Sequence, residues 1–177
     1  MGIENFIRLD SQCVSYLIDA MQSVEEPSGD LAAEKVALFR TYLYTPGTLF
    51  VTRTVVDECA PIRDVQRRDL HDSYIKVLIG EWQLEDEQSI RLRAKVLESH
   101  HRGKLDCRIL AEAEEARFSA LLSFDRQFVT HLSDFTIGVQ LTDPSSYWVK
   151  LGICAGAKPD KIPHSMNPLA NEDWWRW

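Results

Sequence analysis

Short apolar runs alternate along the chain with amphipathic stretches, a pattern that favours an α/β protein over an all-α or all-β one. Residues 5–9 form a first strand, ended by Asp10-Ser11, which caps a helix through residues 13–21. Pro27-Ser28-Gly29-Asp30 reads as a turn, with Asp30 the expected cap of a helix running to about Tyr44. Pro46-Gly47 then turns the chain into residues 48–53, a second buried-strand candidate.

From Thr54 to about Arg102 the pattern is helical, interrupted at Pro61 and Gly80. Ile75, Val77, Leu78 and Ile79 supply one apolar patch, while Ile90, Ala94 and Leu97 fall on one face of a second helix. After the break at Gly103, residues 105–118 form a strong helix striped by Ile109, Leu110, Ala113 and Ala116. Residues 121–124 are a short strand ending at Asp125, residues 139–141 a last strand, and residues 147–151 a closing helix. Strands separated by helices, with no hairpin signal, mean right-handed crossovers and a parallel sheet covered on both faces.

Composition sharpens this picture at a few points. At 177 residues the chain has the size of one domain, and 45% hydrophobic with 27% charged residues is ordinary globular composition. A net charge of −7 argues against a protein that coats nucleic acid through a broad basic face, though not against an enzyme that meets nucleic acid through bound cations. No apolar run is long enough to cross a bilayer. The start lacks a signal-peptide core, because Arg8 and Asp10 break its apolar stretch. Phe6 stands where a myristoylation signal needs Ser or Thr, so an unlipidated chain is expected. The cysteines, Cys13, Cys59, Cys107 and Cys154, form no C-x-x-C pair, so they signal neither a zinc site nor a disulfide framework. A cytoplasmic location follows as the default. One shift in composition divides residues 1–156 from a tail, residues 157–177, which holds Pro159, Pro163, Pro168, Trp174, Trp175 and Trp177. Exposed tryptophans are costly, so the tail is expected to dock on the domain rather than hang free.

Ligands of an open parallel sheet collect at the carboxyl ends of its strands. Asp10 and Asp125 fall at such ends, Glu58 lies five residues past one, and Asp106 begins the helix leading into the Asp125 strand. Gathered together, four carboxylates would repel one another without cations, and oxygen-only ligands suit Mg²⁺ or Mn²⁺. Taken singly, Asp10, Asp106 and Asp125 also fit a plainer role as helix caps. Glu58 fits it less well, since Val55, Val56 and Cys59 around it are apolar.

Several segments resemble the PIN-domain nucleases. FIRLDSQCVSYLID, with Asp10, looks like that family's opening, and VTRTVVDECA resembles its second motif, ending at Glu58. LDCRILAEAEEARFSALLSFDRQF is the most specific match, through Asp106, Ile109, Leu110, Ala111, Ala113, Leu121, Leu122, Ser123, Asp125 and Phe128. The closing VQLTDPSSYW is similar to the family's last strand and turn. The resemblance covers roughly residues 5–151; Gln12 departs from it, standing where Asn is common, and the tail lies outside it.

The resemblance implies a three-layer α/β/α PIN-like domain with a short central parallel sheet. It also implies a divalent-metal-dependent endoribonuclease that hydrolyses RNA phosphodiester bonds. Asp10, Glu58 and Asp106 would ligate Mg²⁺ or Mn²⁺, with Asp125 as a fourth acid and the Ser123 hydroxyl holding a water or phosphate. The further implications are a VapC-type toxin of a type II toxin–antitoxin pair, an antitoxin partner and a homodimer. Two alternatives stay open: a housekeeping RNA-processing or DNA-flap nuclease on the same site, and a non-catalytic PIN-like protein-binding module.

Residues 91–108 carry six basic residues against two acids in an otherwise acidic chain. Arg102, Lys104 and Arg108 flank Asp106 and are the candidate phosphate contacts, against the alternative of a solvated helix face. His100-His101 could stack on bases or contact phosphate, although histidines at a helix end more often just favour its negative terminus. Free cysteines usually pack as small buried hydrophobes, the reading preferred here.

Overall fold

In a computed structural model, residues 6–22 and 24–177 are described; the expected start of the first strand at Asn5 and the Met1-Gly2 pair lie outside them. The architecture is three-layer α/β/α around a five-stranded, all-parallel sheet of order β3-β2-β1-β4-β5. In chain order the strands are β1 (Ile7–Leu9), β2 (Leu49–Thr52), β3 (Gly80–Trp82), β4 (Ala120–Leu122) and β5 (Gln140–Thr142). The helices are α1 (Ser11–Gln22), α2 (Ala32–Tyr44), α3 (Arg53–Cys59), α4 (Val65–Val77), α5 (Glu87–Leu97), α6 (Lys104–Glu115), α7 (Arg126–Leu132) and α8 (Pro144–Leu151).

β1 is the central strand, flanked by β2 and β4, and Ile7 and Leu9 are fully buried. α5 packs on α6, α2 on α8, and α1 on α2. Ile90, Ala94 and Leu97 of α5 and Ile109, Leu110 and Ala113 of α6 are buried, as the 3.6-residue spacing requires. Among the described residues no helix is long and apolar enough to cross a membrane.

Three local expectations need correction. Residues 80–82 do not interrupt a helix; they form edge strand β3, parallel to β2. A Cβ at Gly80 would stand 2.6 Å from the Phe50 ring, so this glycine marks a close approach between strands rather than a helix break. The edge is held by ring contacts among Phe6, Phe50, Trp82 and Phe118, at centroid separations of 5.3–5.8 Å. The chain reverses into β3 at the end of α4, so Ile75 and Ile79 are buried while Val77 points to solvent. Asp30 does not cap α2 either. The turn closes through its own backbone, Ala32 N–H to Gly29 O at 3.1 Å, and Leu31 takes the cap position without a side-chain bond.

The tail lies against the domain. Trp175 is fully buried and belongs, with Leu169, to the same core cluster as the sheet. Phe39 meets Trp174, and Trp148 of α8 meets Trp177 edge-on. Arg40 of α2 donates to the carbonyls of Trp174, Trp175 and Arg176 at 2.7–3.2 Å, while its guanidinium lies over the Trp177 ring. One cation thus satisfies three carbonyls that have no helix or sheet to pair with. Arg40→Ala is expected to cost about 1–2 kcal/mol and lower the melting temperature by several degrees. Unchanged melting would show that the Arg40 bonds do not hold the tail.

Candidate metal centre

The sheet order places a topological switch point between β1 and β4, since the chain moves to β2 and β3 on one side and later to β5 on the other. The residues that leave the carboxyl ends of these two strands are Asp10 and Ser123, and the Asp10 N–H still donates to Leu122 O at 3.2 Å. Asp10 is nearly buried, and its Oδ1 accepts from the Cys13 N–H at 2.7 Å, capping α1. Its carboxylate is also hydrogen-bonded to the fully buried Ser123 side chain. The Ser123 oxygen in turn accepts from the Asp125 N–H at 3.0 Å.

Glu58 comes from α3 and Asp106 from the first turn of α6. The two carboxylates and Asp10 are close enough to act on one another electrostatically. Burial raises the Asp10 carboxyl above its ordinary value; hydrogen bonds from Ser123 and Cys13 oppose this, and the Asp106 charge adds to it. Glu58 is raised too, first by burial and then by Asp106 and Asp10, against a hydrogen bond from Ser11 and the positive charge of Arg8. Its Oε2 is buried without a partner. A buried, partnerless carboxylate oxygen beside two other carboxylates is costly in the cation-free chain.

A second layer orients these acids. His101 Nε2 lies 2.8 Å from Asp106 Oδ2, and its Nδ1 lies 3.3 Å from His131 Nδ1. A Cβ on Gly103 would overlap Asp106 Oδ2 and stand 2.6 Å from His101 Nε2, so a side chain at residue 103 would displace this pair. His101 is therefore a buried partner of Asp106 rather than an exposed helix-end charge, and His100 stacks on Phe135 at 3.7 Å. Ser11 and His101 are the polar neighbours of this centre that carry no motif of their own. Ser11 is hinted at only by following Asp10, while the His100-His101 pair stands out in the sequence but its contact with Asp106 does not.

Asp125 sits differently. Its Oδ1 accepts from the Gln127 and Phe128 N–H groups, so it caps α7 and reaches the others through its own N–H and Ser123. Of the basic strip, Arg91 pairs with Glu87 and Arg93 with Glu114, while Arg108 is bonded to Glu87, Glu112 and Thr54. Arg108 is thus part of the protein's own charge network, whereas Arg102 and Lys104 are exposed at the start of α6. Gln12 is exposed as well.

Three carboxylates, a hydroxyl and no thiolate make a hard, oxygen-only donor set. Cys13, Cys59 and Cys107 are buried; burial raises the Cys59 and Cys107 thiols to about 11, so they are protonated at neutral pH. As placed, no three His, Cys, Asp or Glu side chains among the described residues converge on one point that could hold an ion. The hydrogen bonds explain this: Asp106 turns toward His101, Asp10 toward Cys13 and Ser123, and Asp125 toward α7. In chemistry the acids and the partnerless Glu58 oxygen are donors of the kind a divalent cation takes, though in this arrangement they do not converge.

The raised carboxyls have a consequence for stability. Stability from a carboxyl raised in the folded state is fully present below its unfolded value, 3.8 for Asp10, and is lost as pH rises through the folded value. Asp10→Asn keeps an oxygen for the Cys13 N–H but removes the charge. It is expected to raise the melting temperature of cation-free protein at about pH 7 and to leave it unchanged near pH 3.5, with each kcal/mol gained reading as roughly 2–4 °C. Calorimetry at the two pH values decides it, and equal melting of variant and wild type at both would show that the buried charge carries no cost. Compared with models of known protein families and with curated proteins, the chain matches none.

Proposed function

We propose that the chain is a divalent-cation-dependent endoribonuclease of the PIN type. The observation that carries this reading is that Asp10, Glu58 and Asp106, from the end of β1, from α3 and from α6, act on one another electrostatically near the carboxyl-end switch point of a parallel sheet, with a Glu58 oxygen buried and partnerless. Repulsion of this kind is tolerated where a cation and an anionic substrate are to be received. When bound, Mg²⁺ or Mn²⁺ would supply polarisation of the scissile phosphate and acidification of a water.

The chain's own residues do the rest. Asp10, Glu58 and Asp106 bind the cation, and His101 fixes the orientation of the Asp106 carboxylate. Ser123 holds Asp10 in place and links it to the Asp125 backbone. Arg102 and Lys104, exposed beside Asp106, meet the phosphates that flank the cleaved bond. Ser123 is buried and bonded to Asp10, and the Cys59 and Cys107 thiols are protonated, so none of these three is poised as a nucleophile. In this reading a water would attack the phosphorus and the 3′-oxygen would leave, giving a 5′-phosphate and a 3′-hydroxyl with no covalent intermediate; a 2′,3′-cyclic phosphate among the products would instead identify the substrate's 2′-hydroxyl as the attacking group.

The test is cleavage of a mixed-sequence single-stranded RNA by purified protein with Mn²⁺, with Mg²⁺ and with EDTA. Cutting with either cation and none with EDTA is the expected result. A folded, partner-free protein that cuts in no arm would overturn the reading.

A further inference from the structure

Beneath the three acids runs a ladder of buried charge. Arg8 of β1 is fully buried, and so is Glu112 of α6. Arg8 donates through Nη2 to Glu112 Oε2 at 2.6 Å and to Thr52 Oγ1, and through Nη1 to Ile109 O at 2.5 Å. The hydroxyls of Thr52 and Thr54 both donate to Glu112. Arg108 bridges Glu112, at 3.0 Å, to Glu87 on α5, at 2.8 Å, so the ladder reaches solvent. Thr52 occupies the cap position of α3, where a threonine hydroxyl ordinarily accepts a helix N–H; here it makes no cap bond and turns to Glu112 instead.

The rungs are placed in step with the acids. Arg8 is two residues before Asp10, Thr54 is four before Glu58, and Arg108 is two after Asp106. β1 and α3 are therefore tied to Glu112 within about one strand pleat or one helical turn of their carboxylates, and α6, which delivers Asp106, carries Glu112 itself. The positive charge of Arg8 also acts on both Asp10 and Glu58. Apolar side chains could fill the same volume without the desolvation of two ions, so the pair is not explained by packing alone.

We propose that the buried Arg8–Glu112 pair is a positioning clamp, which ties β1, α3 and α6 together and holds Asp10, Glu58 and Asp106 at their mutual spacing before a cation arrives. Neither residue touches substrate. This inference rests on the cation-centre reading above, and its test separates the two. The decisive variant is Arg8→Met with Glu112→Leu, which leaves the net charge unchanged and removes the tie together with the Arg8 charge that acts on Asp10 and Glu58, so the exchange pattern is the readout of the tie itself. A second variant, Glu87→Ala, breaks the ladder at its exposed rung, where folding is not at risk.

Three measurements are made on wild type and both variants: melting temperature, Mn²⁺ affinity by calorimetry, and amide hydrogen exchange in cation-free protein. The double variant is expected to melt within a few degrees of wild type yet bind Mn²⁺ at least tenfold more weakly. The Mn²⁺ needed for half-maximal RNA cleavage should rise by the same factor. Glu87→Ala should weaken Mn²⁺ binding two- to threefold with unchanged melting. In the cation-free double variant, exchange should rise together at the end of β1, in α3 and in the first turn of α6, with α8 unchanged. A folded double variant with wild-type exchange in those segments overturns the clamp whether or not Mn²⁺ binds. Wild-type Mn²⁺ affinity in both variants overturns it as well. Wild-type protein that binds no Mn²⁺ counts against the cation centre, and the exchange pattern then still decides the clamp.

Discussion

Asp106→Asn is expected to reduce Mn²⁺-dependent RNA cleavage by more than about 100-fold while leaving the fold intact. Loss of an outer-shell partner of a metal typically costs 10–100-fold, and Asp106 is assigned a direct contact. The substitution is nearly isosteric, and the carboxylate sits in the first turn of α6, where an amide is tolerated. His101, at 2.8 Å, can still meet the remaining oxygen, so the local hydrogen bond survives while the charge that would bind a cation is gone. Removing one of three mutually repelling charges also relieves Asp10 and Glu58, so the variant should melt no lower than wild type without cation. Cleavage within tenfold of wild type by a folded Asp106→Asn protein would remove Asp106 from the centre.

Much of this architecture was legible because the apolar runs are short and buried on both faces. β1, β2, β4 and β5 all show as such runs, within two residues of their observed limits. β3 was not legible, since three residues beginning with glycine on a sheet edge carry neither alternation nor a continuous apolar run. Its partner is Phe50, thirty residues away, and only the ring above Gly80 shows why that position is a glycine. The strand-end position of Asp10 could be read from where its apolar run stops, whereas β4 ends at Leu122 and Asp125, read as directly following that strand, lies three residues past it. Their hydrogen bonds could not be read: Asp125 faces α7, and whether a strand-end acid caps a helix or turns into a cleft is a matter of side-chain rotation.

The basic strip shows the same limit from the other side. Arg91–Glu87 and Arg108–Glu112 are i,i+4 pairs within α5 and α6, but the pairing of Arg93 with Glu114 and of Arg108 with Glu87 is set by how the two helices pack. Arg8 was less visible still. In the first strand it reads as an interruption of an apolar run, and its countercharge lies 104 residues away. A lone arginine in a central strand is the kind of local conflict that points to a long-range constraint, and here that constraint leads to the acid centre.

Glu112→Leu alone is expected to destabilise the protein by about 3–5 kcal/mol, roughly 6–20 °C in melting temperature. Burial already lowers the Arg8 guanidinium to about 10, despite the opposing pull of Glu112, yet it remains charged at neutral pH. Without Glu112 that charge keeps only Thr52 Oγ1 and Ile109 O as acceptors in a fully buried setting. Arg8→Met should cost less, because Glu112 retains Arg108 at 3.0 Å and the hydroxyls of Thr52 and Thr54. Combining Arg8→Met with Glu112→Leu removes both ions and should recover most of the loss, since a buried pair replaced by apolar groups is often neutral or stabilising. The cycle is therefore strongly non-additive, as residues in one network require. Additive losses in chemical denaturation would mean that the two side chains contribute separately. With stability recovered in the double variant and Mn²⁺ affinity not, the buried pair would be identified by what packing cannot replace: the spacing of three carboxylates on three different elements.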